Sequence, residues 1–167
     1  MTHPLRVLVA DDDAAIRAVL RTILPSERYA VSEADSGEEA LRLFGSVGAD
    51  LILSDLQMPG IGGLELLRRV RAMDDTVAFI ILTGAGTVEN AVEALRLQAD
   101  DYLVKPFNVD EVMLACARAL EHRRLVRENR WYQRYLEQRV HEQAAQIDQL
   151  FLDGLLTIAN AVEARDR

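Results

Sequence analysis

The sequence predicts an open α/β fold, five parallel strands with helices on both faces, followed by a long helical extension. Short apolar runs alternate five times with amphipathic stretches. Eight of the nine glycines and all four prolines lie at or before position 106, and nothing from Asn108 to Asp153 breaks a helix. Parallel strands buried on both faces read as continuous apolar runs, and the crossovers between them are almost always right-handed. A doubly wound (βα)5 sandwich is therefore the expected architecture.

LRVLVA at 5–10 reads as the first strand, and Ala14 to Leu24 as the first helix, with Asp13 or Asp12 as its N-cap. YAVSEA at 29–34 leads to a helix over Ser36 to Phe44, where Ser36 and Glu39 form a capping box. LILSD at 51–55 precedes a helix over Leu64 to Val70, and VAFIILT at 77–83 precedes one over Val88 to Leu97. DYLVK at 101–105 leads into the last helix, opened by Asn108 and Glu111.

That helix could run for about 45 residues, or ~65 Å at 1.5 Å per residue, which is more than a domain's outer helix requires. A heptad with Val126, Val140 and Ile147 at one seam position and Leu136 and Leu150 at the other predicts a short coiled coil, interrupted by Asn129, Gln133 and Gln143. Trp131, Tyr132 and Tyr135 form an aromatic cluster suited to a partner helix. The nearby arginines alternate with Glu128 and Glu137, as on a solvated coiled-coil face. A homodimer through the tail is expected.

Composition narrows the chemistry. Residues 1–122 carry 20 acidic and 11 basic side chains, whereas 123–167 carry 7 and 8, so the excess acid sits in the first part and argues against direct DNA binding there. No apolar run approaches the ~20 residues of a membrane span, and the start lacks a secretion signal, so a cytoplasmic chain with no membrane partner is expected. The one cysteine, Cys116, falls on an apolar helix face and reads as core; with three scattered histidines it leaves oxygen ligands as the metal chemistry on offer. Of 19 basic residues 18 are arginine and one is Lys105. Genomic base composition or chance accounts for this. In the former case the retained lysine sits where a compact ammonium does what a guanidinium cannot.

In open α/β sheets, ligands bind beyond the carboxyl ends of the strands. There the first strand is followed by Asp11, Asp12 and Asp13, the third ends in Asp55, the fourth in Thr83, and the fifth in Lys105 followed by Pro106. If the first and third strands are neighbours, about 4.8 Å apart, their carboxylates converge and need a cation. With oxygen ligands that cation is Mg²⁺. A carboxylate can take up a phosphoryl group, so Asp11 and Asp12 are read as metal ligands, Asp55 as nucleophile, and Thr83 and Lys105 as partners of the phosphate oxygens. ADDDAA stands where a dinucleotide fold would carry its glycine-rich loop.

The stretches VLVADDD, LILSDLQMPGIGGLELL and FIILTGAGTVENAVEALRLQADDYLVKPF resemble the receiver domain of two-component response regulators. The resemblance implies a flavodoxin-like sheet of order 2-1-3-4-5 over residues 1–122. It also implies phosphorylation of Asp55 by a histidine kinase or phosphotransfer protein, a Gln57 backbone carbonyl on Mg²⁺ beside Asp55, a switch formed by Thr83 and Tyr102, and a cis bond between Lys105 and Pro106. Two residues depart from the family pattern. Gly62 replaces an aspartate that usually caps the third helix, and Gln98 replaces a helix-ending glycine, so that a left-handed residue there would cost about 1 kcal/mol or the turn is rebuilt.

LFLDGLLTIANAVEARDR resembles the opening helix of HD-GYP phosphodiesterases, which hydrolyse cyclic di-GMP. The His-Asp pair and the GYP signature are not in this chain, so no hydrolase activity is expected of it, and a longer parent is expected to continue. The implied organisation is a receiver at 1–122, a helical linker at 123–152 and the start of an output domain at 153–167. The rival reading is a constitutive dimerisation scaffold whose pairing ignores phosphate.

Overall fold

The computed structural model describes residues 3–84 and 87–165. In chain order these form β1 (Leu5–Ala10), α1 (Ala14–Ile23), β2 (Tyr29–Ala34), α2 (Gly37–Val47), β3 (Leu51–Asp55), α3 (Gly63–Met73), β4 (Ala78–Thr83), α4 (Val88–Arg96), β5 (Asp101–Val104) and α5 (Val109–Arg165). All strand pairs are parallel, in the order β2-β1-β3-β4-β5. The expected doubly wound topology is thus the observed one.

Strand alternation divides the core into two layers. Leu8, Ile52, Phe79 and Ile81 face α2, α3 and α4, meeting Phe44, Leu66, Val70 and Ala94. Val9, Leu53, Ile80 and Leu82 face the other way, toward Leu20 of α1 and Val112, Cys116 and Ala119 of α5. Cys116 is fully buried, as read from sequence. Burial, with Asp101 adding to it against the smaller opposing pull of Arg28, pushes its thiol up to about 12.

The caps hold the helix starts in register. Asp13, not Asp12, caps α1, its Oδ1 accepting from the Ala15 amide at 2.8 Å. The Ser36 hydroxyl accepts from the Glu39 amide at 3.3 Å, and Asn108 and Glu111 bond reciprocally at 2.9 and 3.3 Å. Gly62 begins α3 with no side-chain cap. Gln98 does take the left-handed conformation, at φ 61°. Arg71 donates to its carbonyl oxygen at 2.8 Å, which anchors the turn.

Three helices extend past their sequence-based ends: α2 reaches Val47, α3 reaches Met73, and α5 passes Asp153 and Gly154 to Arg165, whereas α1 and α4 stop one residue short, at Ile23 and Arg96. A single glycine costs a helix about 1 kcal/mol relative to alanine, which the leucines, isoleucine and alanines around Gly154 offset through their higher propensity. The chain divides into two compact units, Met1–Val126 and Arg127–Arg167. The 153–167 segment read from sequence is described as far as Arg165; Asp166 and Arg167 lie outside the described residues.

Candidate metal centre

Because β1 and β3 are neighbours, the residues that follow them stand side by side. Asp11 is fully buried, Asp55 is buried and Asp12 is exposed; each offers a carboxylate oxygen, and these oxygens lie within 4.8 Å of one another. The backbone fixes Asp11 from two sides. Its amide donates to Ala34 of β2 at 3.1 Å, and its carbonyl accepts from Arg17 at 2.7 Å. Its Oδ1 accepts from the Asp13 amide at 2.9 Å, turning the chain back toward α1.

Lys105 enters from β5, across the sheet. Its Nζ lies 2.7 Å from Asp11 Oδ2 and 3.3 Å from Asp55 Oδ1, so one ammonium bridges the ends of two strands. The Lys105 amide donates to the Thr83 carbonyl at 2.6 Å, and the Lys105–Pro106 peptide is cis. Burial works against this ammonium, but the hydrogen bond and charge of Asp11, with Asp55 behind them, outweigh it and hold Lys105 above the ordinary lysine range. Burial pushes the Asp55 carboxyl up, and Asp11 adds to this, against the opposing pull of Lys105 and the Gln57 amide. The site thus holds more negative charge than its one lysine neutralises.

That donor set fits Mg²⁺: three carboxylates of mixed burial, with Asp12 facing solvent, suit a hard cation that keeps part of its water shell. Gln57 is exposed two residues past β3, with its amide directed at the Asp55 carboxylate. Thr83 is buried at the end of β4. It faces the same side as Ile81, whose register partner is Tyr102, so Thr83 and Tyr102 are diagonal neighbours across β4 and β5. Tyr102 is half-buried against the α2–α4 layer, its hydroxyl without a hydrogen-bond partner among the described residues.

The loop after β3 is held by contacts that the sequence did not announce. Glu38 of α2 accepts the Ile61 amide at 3.1 Å, tying down the turn in which Gly62 lacks a capping side chain. Gly63 packs so closely that a Cβ there would overlap the Asp55 carbonyl oxygen. Arg17 and Glu38 carry no local signal for these roles, since each acts across a strand or turn. Glu38 reads only as a first-turn acid.

An aspartate cluster, a bridging lysine and this strand order are the features of a phosphoacceptor signalling domain. The profile of the response regulator receiver domain matches residues 7–117, and the chain belongs to that family. It is 43% identical over 113 residues to the transcriptional regulatory protein ResD of Bacillus subtilis, covering 68% of this chain and 47% of that one. To the regulatory protein AtoC of Escherichia coli it is 36% identical over 130 residues, covering 78% and 28%. It thus spans about half or less of the length of these two relatives. Among solved structures, a CheY-like receiver protein from Methanospirillum hungatei superposes with a TM-score of 0.70 at 30% identity, covering 73% of this chain and 98% of that one. The receiver domain of an HD domain-containing protein from Pseudomonas fluorescens gives 0.70 at 28% identity, covering 73% and 98%.

As a receiver domain the chain is a non-enzymatic signalling module of the kind that takes phosphoryl groups from histidine kinases and uses Mg²⁺ at its acidic cluster. Among the described residues no helix is long and apolar enough to cross a membrane. The family match ends at residue 117, and none of these findings supports an HD-GYP domain in the tail.

Proposed function

We propose that Asp55 accepts a phosphoryl group from a histidine kinase or phosphotransfer protein in the cytoplasm and that the tail carries the resulting change to an output domain. The observation that carries this is the convergence of Asp11, Asp12 and Asp55 within 4.8 Å, with Lys105 bonded to two of them. Asp11, Asp12, Asp55 and the Gln57 carbonyl would hold Mg²⁺, which when bound supplies charge neutralisation for the transferred group. An Asp55 carboxylate oxygen attacks phosphorus as the phosphorus–nitrogen bond of a phosphohistidine breaks, and the electron pair returns to the imidazole. Lys105 and Thr83 donate to the phosphoryl oxygens, and the engaged Thr83 opens room for Tyr102 to turn inward. A reoriented ring needs a partner for its hydroxyl, which in the present position has none among the described residues.

Residues 1–122 form the phosphoacceptor unit on this reading, 123–152 a dimerising linker and 153–167 the start of the output. For the output, the tail's likeness to the opening helix of HD-GYP proteins favours a cyclic di-GMP phosphodiesterase. The names of the curated relatives instead support a transcriptional regulator. Incubation with acetyl phosphate and Mg²⁺ should label the chain with acid-labile phosphate, and Asp55→Asn should abolish this. Labelling that survives the substitution removes the assignment. Sedimentation with and without beryllofluoride separates the switch from the rival scaffold, which predicts an unchanged tight dimer.

A further inference from the structure

Within the unit Arg127–Arg167, residues 127–165 are one helical segment whose apolar side chains stand in solvent: Leu136, Val140, Ile147, Phe151, Leu155, Ile158 and Val162 are 43–66% exposed. Their spacing does not follow a heptad. Leu136, Ile147 and Ile158 recur at intervals of eleven, as do Val140, Phe151 and Val162, and Ala144 and Leu155. Eleven residues make three turns at about 3.67 per turn, close to the helix's own 3.6, so these positions form one nearly straight stripe. Continuing the heptad instead meets Gln143, Gly154 and Thr157.

We propose that this eleven-residue stripe, from Asn129 to Val162, is the seam along which a second copy of the chain pairs in parallel. The proposal rests on the self-association put forward above and replaces its heptad seam. Burying the stripe of two copies removes roughly 1,200–1,500 Å² from water, above the ~1,000 Å² that a specific interface requires. Charge allows it: none of the 11 charged residues between 127 and 165 lies on the stripe, and with six acids and five arginines two copies scarcely repel. The direction follows from the polar end. In a parallel pair Asn129 meets Asn129 and Gln133 meets Gln133, whereas an antiparallel pair buries these amides against Ile158 and Val162. Trp131 and Tyr135, stacked at 5.6 Å, lie about half a turn away from the seam. The seam crosses residue 152, so the stretch that resembles the opening of an output domain also continues the pairing helix.

The test compares two double variants of the full chain by sedimentation equilibrium, with helix content checked by circular dichroism. Phe151→Glu with Ile158→Glu should weaken dimerisation at least ~100-fold. Leu150→Glu with Leu156→Glu, off the stripe, should leave it within a few-fold. The reverse result overturns the seam while self-association stands; a wild-type chain that stays monomeric at high concentration overturns self-association itself. An Ile158→Cys variant should form a disulfide-linked dimer on mild oxidation, with wild type, whose Cys116 is buried, as the blank. Failure of that variant to cross-link while it still sediments as a dimer overturns the parallel arrangement.

Discussion

Asparagine in place of Asp55 removes one charge and one nucleophile while keeping the side chain's shape. At an effective dielectric of about 20, the attraction between Asp55 and Lys105 at 3.3 Å is worth about 5 kcal/mol, and repulsion from Asp11 and from Asp12, whose oxygens lie within 4.8 Å, at least about 3.5 kcal/mol each. The two repulsions at least offset the attraction. Desolvation, the leading influence on Asp55, therefore decides the sign, and it favours the neutral side chain. Without divalent ions at neutral pH, Asp55→Asn should gain on the order of 1–2 kcal/mol, a rise of roughly 3–8 °C in Tm. The folded Asp55 carboxyl lies above its ordinary 3.8, so ionised Asp55 destabilises the fold above that raised value. The penalty fades as pH falls through it, and the variant's advantage should shrink on acidification. Added Mg²⁺ should reverse or narrow the order, since wild type gains about 1.4 kcal/mol at ten times the Kd and the variant, short of one anionic ligand, gains less. Thermal melts in EDTA and in Mg²⁺, at neutral and mildly acidic pH, read all three effects. An Asn variant that melts below wild type in EDTA, or a wild type indifferent to Mg²⁺, would refute the reasoning.

Lys105→Arg should slow acetyl-phosphate labelling at least ~10-fold, because a planar guanidinium cannot take the position of an ammonium 2.7 Å from Asp11 and 3.3 Å from Asp55. Gly63→Ala should cost about 2 kcal/mol or more by denaturant unfolding and lower labelling as well, since its Cβ would displace the Asp55 carbonyl. Gln98→Gly should stabilise by about 0.5–1 kcal/mol in the same assay, because glycine accepts the left-handed backbone that glutamine adopts there. Cys116, buried and pushed up to about 12, should react with iodoacetamide at least ~100-fold more slowly in the folded protein than after unfolding.

The strands were legible to within a residue because the central ones are short apolar runs buried on both faces and all are bounded by turn residues or helix caps. Helix ends were less so: Met73 and Val47 extend α3 and α2 as half-exposed side chains that no periodicity template requires. Asp11, Asp12, Asp55 and Lys105 could be gathered from sequence because strand ends are where such sheets bind ligands. Their supports could not. Arg17 acts on the Asp11 carbonyl, and Glu38 on an amide 23 residues away, through contacts that exist only once the strands have been ordered.

Residue type alone also could not say which strand-end aspartates are chemical and which structural, and charge bookkeeping at the two ends of the sheet does. Asp50, just before β3, accepts the Arg6 amide at 2.8 Å and lies 3.0 Å from Arg123 and 3.7 Å from the Arg6 guanidinium. Asp100, just before β5, accepts the Phe79 amide at 2.8 Å and lies 3.4 Å from Arg71 and 2.6 Å from His122. Each of these carboxylates has an amide and at least one arginine, with a second arginine on Asp50 and an imidazole on Asp100, which is what a buried acid requires for stability. At the opposite end Asp11, Asp12 and Asp55 share the single ammonium of Lys105, and burial already presses Asp55 toward its neutral form. A fold that pairs its acids with arginine at one edge and leaves a surplus at the other holds that surplus for something it must bind: a divalent cation and, through it, a phosphoryl group.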